Sequence, residues 1–96
     1  MKGYWIIFGS DVIDANAQQE YSRLWAPISE KYEAKVRLLE TCVMVEALTT
    51  KRVLVVEFPS YEQAKACNID PAYVEARLFA LGAYKREMII IEGNLA

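Results

Sequence analysis

Apolar residues in this chain are clustered at consecutive positions, not at alternate ones. The four runs cover residues 4–8, 43–45, 53–56 and 88–91. Successive residues of a β-strand point to opposite faces of its sheet, so an antiparallel sheet with one wet face should alternate apolar and polar residues. Strands built from these runs need apolar cover on both faces. Since 96 residues are too few to supply two full layers of cover, the pattern indicates that a second copy of the chain covers one face.

Length and composition predict one globular domain over residues 1–96. Hydrophobic residues make up 54% of the chain and charged residues 25%, which is typical of globular proteins. The net charge is −2 and no stripe of Lys and Arg is present, so nucleic acid is not an expected partner. No apolar run approaches the ~18 residues of a membrane span, and the N-terminal run is too short for a signal peptide. We therefore expect a cytoplasmic protein with no membrane partner.

The chain has no histidine, which excludes several kinds of catalytic and metal site. Ser-His-Asp and Cys-His pairs contain that residue, and it is the commonest general base, the commonest metal ligand and the proximal haem ligand of globins and peroxidases. Cys42 and Cys67 are far apart and lack CxxC spacing, so they do not indicate a zinc site. We expect both thiols to act as small, buried or half-buried hydrophobic groups. The sequence thus predicts no metal and no cofactor.

Hydrophobic periodicity predicts the element order β-α-β-β-α-β. Strands are expected over residues 3–9, 35–47, 51–58 and 85–92. Asp14 is the expected N-cap of the first helix. The buried stripe of that helix comprises Ala17, Tyr21, Leu24, Trp25, Ile28 and Tyr32. Pro27 lies inside the stripe, which keeps its phase, so the proline predicts a kink or two helical pieces and not a helix end.

The second helical region is predicted in two pieces. Ser60 and Gln63 match a capping box for the first piece, while Asp70 and Pro71 match the N-cap and first position of the second. The second piece is expected to bury a stripe of three large apolar side chains, with Gly82 in the left-handed conformation after its last turn. These side chains are Val74, Leu78 and Leu81.

This element order favours an α+β, ferredoxin-like fold, in which a four-stranded antiparallel sheet carries the helices on one face. The other face would then expose an apolar patch larger than monomers usually show. Two sheets packed face to face across a twofold axis would bury that patch. The sequence therefore predicts a homodimer formed through the sheet face.

Five parts of the chain resemble the DUF1330 family, a set of small proteins of unassigned function. They are Lys2-Gly3-Tyr4-Trp5-Ile6-Ile7, Asp11-Val12-Ile13-Asp14 with Glu20-Tyr21, Lys31-Tyr32, Arg52 with Val55-Val56-Glu57-Phe58-Pro59-Ser60, and Ile90-Ile91-Glu92-Gly93. In addition, Asp70-Pro71-Ala72-Tyr73 followed by Arg77 is similar to the family's Ser-Pro-Glu-Tyr segment and its downstream arginine. The resemblance implies a dimeric α/β barrel, in which ferredoxin-like chains pair through their sheets. It does not imply one activity, because that group includes cofactor-free monooxygenases, haem-degrading enzymes, isomerases and peroxidases.

The chain departs from the family pattern at three places. Glu33-Ala34 replaces the usual Gly-Gly, Leu39-Glu40-Thr41 replaces Arg-Gly-Gly, and Cys67-Asn68 replaces Trp-Tyr. Glycine permits unusual backbone angles, and a lost tryptophan changes the volume of any pocket beside it. A ligand shared by the family would therefore be bound differently here, or not at all.

Six residues are candidates for contact with a small molecule. They are Tyr21, Trp25, Tyr32, Glu57, Tyr73 and Arg77. In related barrels the ligand pocket lies between the helices and the sheet, so the three aromatic residues of the first helix either line that pocket or form plain core. Tyr73 and Arg77 share one helix face and either bind a carboxylate or phenolate or form a solvated stacking pair, which we favour.

Glu57 follows an apolar strand and is in phase with Val53 and Val55. It is either a general base or substrate anchor, or one half of an ion pair at the strand end. We favour the ion pair, with Arg37, Arg52 or Arg77 as its cation.

Two classes of function fit these residues. The first is a dimeric domain that binds a small molecule in a helix–sheet pocket around Tyr21, Trp25, Tyr32 and Glu57. The second is a cofactor-independent enzyme, monooxygenase-like or isomerase-like, acting on a small aromatic or lactone-type substrate. The sequence does not decide whether the protein is an enzyme.

Overall fold

The computed structural model describes residues 1–39 and 44–94, which form four strands and three helices. The elements are β1 (Lys2–Gly9), α1 (Ala15–Lys31), β2 (Lys35–Leu39), β3 (Arg52–Phe58), α2 (Tyr61–Ile69), α3 (Pro71–Ala83) and β4 (Arg86–Gly93). The strands form one antiparallel sheet in the order β2-β3-β1-β4, with the helices on one face. This is the ferredoxin-like α+β fold that the sequence predicted.

The core lies between the sheet and the helices and is centred on Trp5 of β1. This side chain is fully buried, and its ring centroid is 4.8 Å from that of Tyr73 and 4.9 Å from that of Phe58. Its Nε1 donates to the Ala64 carbonyl oxygen at 2.9 Å. Trp5 therefore joins β1, β3, α2 and α3 in one aromatic cluster.

A glycine in β1 lets α2 start close to the sheet. A Cβ placed on Gly3 would lie 2.6 Å from both the Ser60 carbonyl oxygen and the Tyr61 Cα. Both contacts are with backbone, which cannot move aside as a flexible side chain can. The absence of a side chain at Gly3 is thus a condition for this helix–sheet approach.

The other side of the sheet, which we call the open sheet face, carries side chains from all four strands. Its apolar members are Tyr4, Ile6, Phe8, Leu39, Val53, Val55, Ile89 and Ile91. Phe8 and Ile89 remain 36% and 49% exposed. Apolar residues therefore occupy both faces of the sheet, as three of the four consecutive runs in the sequence predicted; the run over 43–45 does not form a strand in its described part, 44–45.

Helix α1 begins as predicted and runs through its proline. The Asp14 carboxylate accepts from the Ala17 amide at 3.1 Å, which satisfies one free donor of the first turn. The helix is one continuous element from Ala15 to Lys31 with Pro27 inside it. Of the two outcomes expected at that proline, division into two helical pieces does not occur.

The predicted break between α2 and α3 is confirmed. Ser60 Oγ accepts from the Gln63 amide at 3.1 Å at the start of α2. Asp70 Oδ1 accepts from the Ala72 amide at 2.9 Å at the start of α3, and Pro71 is the first residue of that helix.

The predicted buried stripe of α3 is wrong. Its three large side chains are 45–67% exposed, whereas the buried residues of α3 are Tyr73, Ala76, Ala80 and Ala83. The four buried positions also follow the helical period, and the small alanines let α3 approach α1 closely. The exposed residues are Val74, Leu78 and Leu81. The prediction for Gly82 is also wrong, because this residue lies inside α3 and has no positive φ.

The predicted strand over 35–47 is shorter in the structure, where β2 ends at Leu39. Residues 44–50 are not in a strand, and the rest of the prediction, including Cys42, lies outside the described residues. Cys67 is fully buried, and burial raises the pKa of its thiol to about 12. It is therefore the inert hydrophobic group that was expected.

None of the helices in the described part of the chain is long and apolar enough to cross a membrane. The described residues also contain no group of three acidic or cysteine side chains that could hold a metal ion.

Candidate functional site

A cavity of about 260 Å³ lies between α1 and the helix-facing side of the sheet, and we call it the helix–sheet cavity. It is lined by Trp5, Ile7, Gln18, Tyr21, Ser22, Trp25, Val36, Arg52, Leu54, Val56 and Tyr84. Aliphatic side chains of the sheet form its floor, and aromatic and polar side chains form its walls. Its volume is slightly below the ~300 Å³ at which drug-sized sites begin, which limits a ligand to one or two rings.

Tyr21 and Trp25 of α1 both line the cavity. They are four residues apart and therefore lie on one helix face. The Tyr21 hydroxyl is 3.2 Å from the Tyr73 hydroxyl, and the Trp25 ring meets the Tyr73 ring edge-on at 5.8 Å. Tyr73 thus supports both cavity residues from behind, without lining the cavity itself.

Arg86 of β4 completes a hydrogen-bonded chain that leads to the cavity. Its Nη2 donates to the Tyr73 hydroxyl at 2.7 Å, and its guanidinium lies 5.7 Å from the centre of the Tyr21 ring. Burial is the main cause that raises the pKa of Tyr21, so this hydroxyl stays protonated. Burial alone would lower the pKa of Arg86, but its interactions with Tyr73, Tyr21 and Tyr84 outweigh burial and hold that pKa above its usual value.

Arg52 and Tyr84 form the polar end of the cavity. The Arg52 guanidinium lies 4.6 Å from the centre of the Tyr84 ring, within the range of a cation–π contact. The ring rests on Gly9, where a Cβ would lie 2.8 Å from Tyr84 Cε2. In the sheet register Gly9 pairs with Arg52 on one side and Arg86 on the other. The bare backbone at Gly9 therefore leaves room for Tyr84 between two arginines.

Sequence reasoning missed five polar residues in and behind the cavity. Four of them are Gln18, Arg52, Tyr84 and Arg86, and Ser22 of the lining is a fifth; only Arg52 was considered, as a cation for Glu57. Arg52 and Arg86 each begin an apolar strand and flank a glycine in the central strand. That placement becomes visible only once the strand order is known.

Tyr32 lies at the end of α1 and does not line the cavity. Its hydroxyl donates to Asp70 Oδ2 at 2.6 Å, and Lys31 Nζ donates to the same oxygen at 2.8 Å. The two side chains tie the end of α1 to the N-cap of α3.

This contact predicts an acid-dependent loss of stability. The hydrogen bond from Lys31, followed by those from Tyr32 and the Ala72 amide, lowers the pKa of Asp70 from 3.8 to about 2. Since the folded pKa is the lower one, the stabilisation is complete above about pH 4 and is lost as the pH falls through about 2. Asp70→Asn keeps a good N-cap but removes the charge. The difference in urea midpoint between wild type and D70N should therefore shrink from pH 5 to pH 2.

A second variant identifies the partner responsible. Lys31→Gln should raise the pKa of Asp70 and move the wild-type loss of stability to higher pH. A difference between wild type and D70N that stays constant from pH 5 to pH 2 would show that the Asp70 charge does not stabilise the fold.

Glu57 lies on the open sheet face, not beneath the helices where the candidate pocket was expected. It pairs with Tyr4 and Lys35 in the sheet register and is 8% exposed. Its Oε2 is 3.3 Å from Lys2 Nζ. The ion pair at the strand end is therefore present, but its cation is Lys2 and not one of the three arginines considered.

Tyr73 and Arg77 are not a solvated pair, which corrects the favoured interpretation. Tyr73 is fully buried, and Arg77 covers its ring at 5.2 Å. Arg77 Nη2 also donates to Asn68 Oδ1 at 2.6 Å. Arg77 thus fastens the last turn of α2 to α3.

A larger depression of about 530 Å³ lies on the other side of the sheet. It is formed by residues 44–50 together with Phe8, Val53 and Glu87 of the open sheet face. It contains no cluster of buried polar groups, so the helix–sheet cavity is the better candidate for chemistry.

These features define a class: small ferredoxin-like α+β chains with a cavity between the helices and the sheet. The chain belongs to the DUF1330 family, a domain of unknown function, whose family model matches residues 2–94. Among curated proteins, no sequence matches the chain.

Several solved structures share the fold. A protein of unknown function from Rhodopseudomonas palustris has a TM-score of 0.71 at 18% identity, covering 99% of this chain and 84% of its own. A dimeric, ferredoxin-like protein of unknown function from Bacteroides fragilis has a TM-score of 0.59 at 15% identity, covering 96% of each chain. A mutant of SnoaB, a cofactor-independent oxygenase from Streptomyces nogalater, has a TM-score of 0.69 at 8% identity, covering 99% and 95%. At these identities the likeness establishes the fold alone.

Proposed function

We propose that the protein is a homodimer that binds a small organic molecule in the helix–sheet cavity. One observation carries the binding function: the cavity combines an apolar floor with buried polar atoms that have no partner among the described residues. Those atoms include Gln18 Oε1 and Arg52 Nε. Buried polar atoms are nearly always hydrogen-bonded in native proteins, so a ligand that supplies their partners would stabilise the site.

The dimer is supported by the open sheet face. Eight apolar side chains from four strands lie there. Although Tyr4 is only 2% exposed, Phe8, Leu39 and Ile89 are 36–49% exposed, which leaves an apolar patch in water. Pairing of two such faces across a twofold axis would bury both at once. The fold-related protein from Bacteroides fragilis is described as dimeric, which agrees with this assembly.

The candidate residues then divide into three groups. Tyr21 and Trp25 contact the ligand, because both line the cavity. Tyr73 acts as a positioning residue for Tyr21. Glu57, Tyr32 and Arg77 hold the strand end and the helix junctions in place.

Native mass spectrometry of freshly purified protein tests both parts of the proposal. It should show a dimer, and a small molecule retained at up to one per subunit. A monomer at low micromolar concentration contradicts the assembly. For the cavity, the decisive result is how much ligand affinity falls when a larger side chain fills it.

Filling the cavity should abolish binding. Leu54 lines the cavity floor, and Leu54→Trp adds a ring that occupies the space a ligand needs. The affinity for a neutral bicyclic probe, 2-naphthamide, should fall at least about tenfold by calorimetry, while Leu54→Phe should give a smaller loss. Insertion of extra atoms into packed regions costs about 1–3 kcal/mol, so circular dichroism must confirm that the variants fold.

Leu78→Trp on the exposed side of α3 is the matched control, since Leu78 is 67% exposed and distant from the cavity lining. It should bind the probe as wild type does. Equal binding by the wild type and by Leu54→Trp would place the ligand elsewhere.

A cofactor-independent enzyme is the second candidate. The fold likeness to SnoaB favours it, as does a cavity-lining tyrosine, Tyr21, whose hydroxyl is hydrogen-bonded through Tyr73 towards the half-buried Arg86. Aerobic and anaerobic incubation of any co-purified molecule, followed by mass spectrometry, separates the two candidates. Conversion that is lost in Tyr21→Phe supports an enzyme, whereas recovery of the unchanged molecule supports a binding domain.

A further inference from the structure

We propose that the ligand of the helix–sheet cavity is a planar organic anion, such as an aromatic carboxylate, held by the Arg52 guanidinium and the Tyr21 hydroxyl. This inference rests on the proposed binding function and adds the charge and shape of the ligand.

The first argument is an excess of positive charge without acidic partners. Arg52 and Arg86 lie on the two strands that flank Gly9, on the side of the sheet that faces the helices. The ion pairs among the described residues use Lys2, Arg23, Lys31 and Lys65, and no described carboxylate pairs with Arg52 or Arg86. A charge withdrawn from water is costly unless an opposite charge and hydrogen bonds compensate it. An anion in the cavity would supply that compensation.

The second argument is that both guanidiniums have an unused donor. Arg52 Nε and Arg86 Nη1 are buried and make no hydrogen bond to the described residues. Arg52 lines the cavity, whereas Arg86 lies behind it and is committed through Nη2 to Tyr73. Arg52 is therefore the direct anchor, and Arg86 adds a positive charge behind it. An arginine N–H to carboxylate contact is a charge-assisted hydrogen bond, which is stronger than a neutral one.

The third argument concerns the direction of the tyrosine hydrogen bonds. Arginine is only a donor, so the Tyr73 oxygen accepts from Arg86. Tyr73 is fully buried, and its hydroxyl oxygen lies 3.2 Å from the hydroxyl oxygen of Tyr21, which is within hydrogen-bond distance. If Tyr73 donates to Tyr21, its own hydrogen is satisfied, and the Tyr21 hydrogen is released to point into the cavity. The cavity then offers two donors, from Tyr21 and Arg52, which match the two oxygens of a carboxylate.

The fourth argument is the shape and chemistry of the walls. The indoles of Trp5 and Trp25 lie on one side at a ring-centroid distance of 5.6 Å, and the aliphatic floor includes Ile7, Leu54 and Val56. Flat aromatic ligands gain offset or edge-on contacts with such rings. The remainder of the ligand is therefore apolar and planar, and its charge sits at the Arg52 end.

A matched pair of probes tests this assignment. 2-Naphthoate and its neutral amide, 2-naphthamide, have the same size, and calorimetry measures the affinity of each. Wild type should bind the carboxylate about tenfold to a hundredfold more tightly than the amide, which is the range of one or two charge-assisted hydrogen bonds. Arg52→Gln should remove this preference by weakening the carboxylate far more than the amide, while Arg52→Lys should retain part of it; circular dichroism confirms that both variants fold.

The outcomes separate this inference from the proposed function. Equal binding of both probes by wild type would overturn the anionic ligand but retain the cavity as a binding site. A carboxylate preference that persists in Arg52→Gln would also overturn the assignment to Arg52. Failure of both probes to bind, with no difference between wild type and Leu54→Trp, would overturn the binding function itself.

Discussion

Replacement of Ile6 by glutamate is expected to convert the proposed dimer into monomers. Ile6 lies at the centre of the open sheet face, opposite Val55 on β3 and Ile89 on β4. A twofold axis places the new carboxylate in the interface twice, with apolar neighbours in both copies. An unpaired charge buried in this way costs about 3–5 kcal/mol, which corresponds to a loss of affinity of about a hundredfold or more. Light scattering at low micromolar concentration should report a single 11.0 kDa species.

Leu78→Glu is the control for this result. Leu78 is another exposed apolar side chain, but it lies on the outer side of α3, away from the sheet. The variant should remain dimeric. Dissociation by both substitutions would mean that charge at any apolar surface site disrupts the assembly, and a dimeric Ile6→Glu protein would exclude the open sheet face as the interface.

The largest loss of stability is expected from truncation of Trp5. Its ring contacts Trp25, Phe58 and Tyr73, and its Nε1 donates to the Ala64 carbonyl oxygen. Trp5→Ala removes the central ring of the core and should lower the free energy of unfolding by about 3–5 kcal/mol. Because total stability is usually only about 5–15 kcal/mol, this variant should be partly unfolded at 37 °C. Urea denaturation at one fixed protein concentration measures the effect.

Two further variants divide that loss into its causes. Trp5→Phe keeps an aromatic ring but loses the hydrogen bond to α2 and some volume, so a smaller loss of about 2 kcal/mol is expected. Leu81→Ala removes a side chain that is 55% exposed and should change stability by less than about 0.5 kcal/mol. A similar effect of Trp5→Ala and Leu81→Ala would contradict the central position of Trp5 in the core.

The sequence was sufficient to predict the order of the strands and helices, the first helix and the break between α2 and α3, but not the extent of β2, which ends at Leu39. Each depends on local signals: an apolar run, an N-cap at Asp14, and the Asp70-Pro71 pair. These signals act over a few residues and need no knowledge of distant contacts. They can therefore be recognised in the sequence alone.

The buried side of α3 could not be predicted in the same way. Two stripes of that helix follow the same period, one of large aliphatic residues and one that runs from Tyr73 through three alanines. Size and hydropathy favour the first stripe, but close packing against α1 selects the second. The choice depends on the distance between two helices, which no local pattern contains.

The location of Glu57 was undetermined for a related reason. The alternation of side chains along β3 places Glu57 on the same face as Val53 and Val55. Because both faces of β3 are apolar, alternation does not reveal which of them meets the helices. Pairing with β1 decides it, since Glu57 lies opposite Tyr4 and not opposite Trp5. The same argument explains why Arg52 was not recognised as part of the cavity.

The turn after α1 shows that a backbone can persist after its usual residue has been replaced. Glu33 has a φ of 52°, a left-handed conformation that glycine adopts without strain and other residues adopt at a cost. The resemblance to the family places glycine at this position. The conformation is kept here by other bonds, since the Ala34 amide donates to the Ser29 carbonyl and the Ser29 hydroxyl donates to the Ala34 carbonyl. The loss of a family glycine is therefore weak evidence that the backbone around it has changed. Relatives should be compared by the side chains that line the cavity instead.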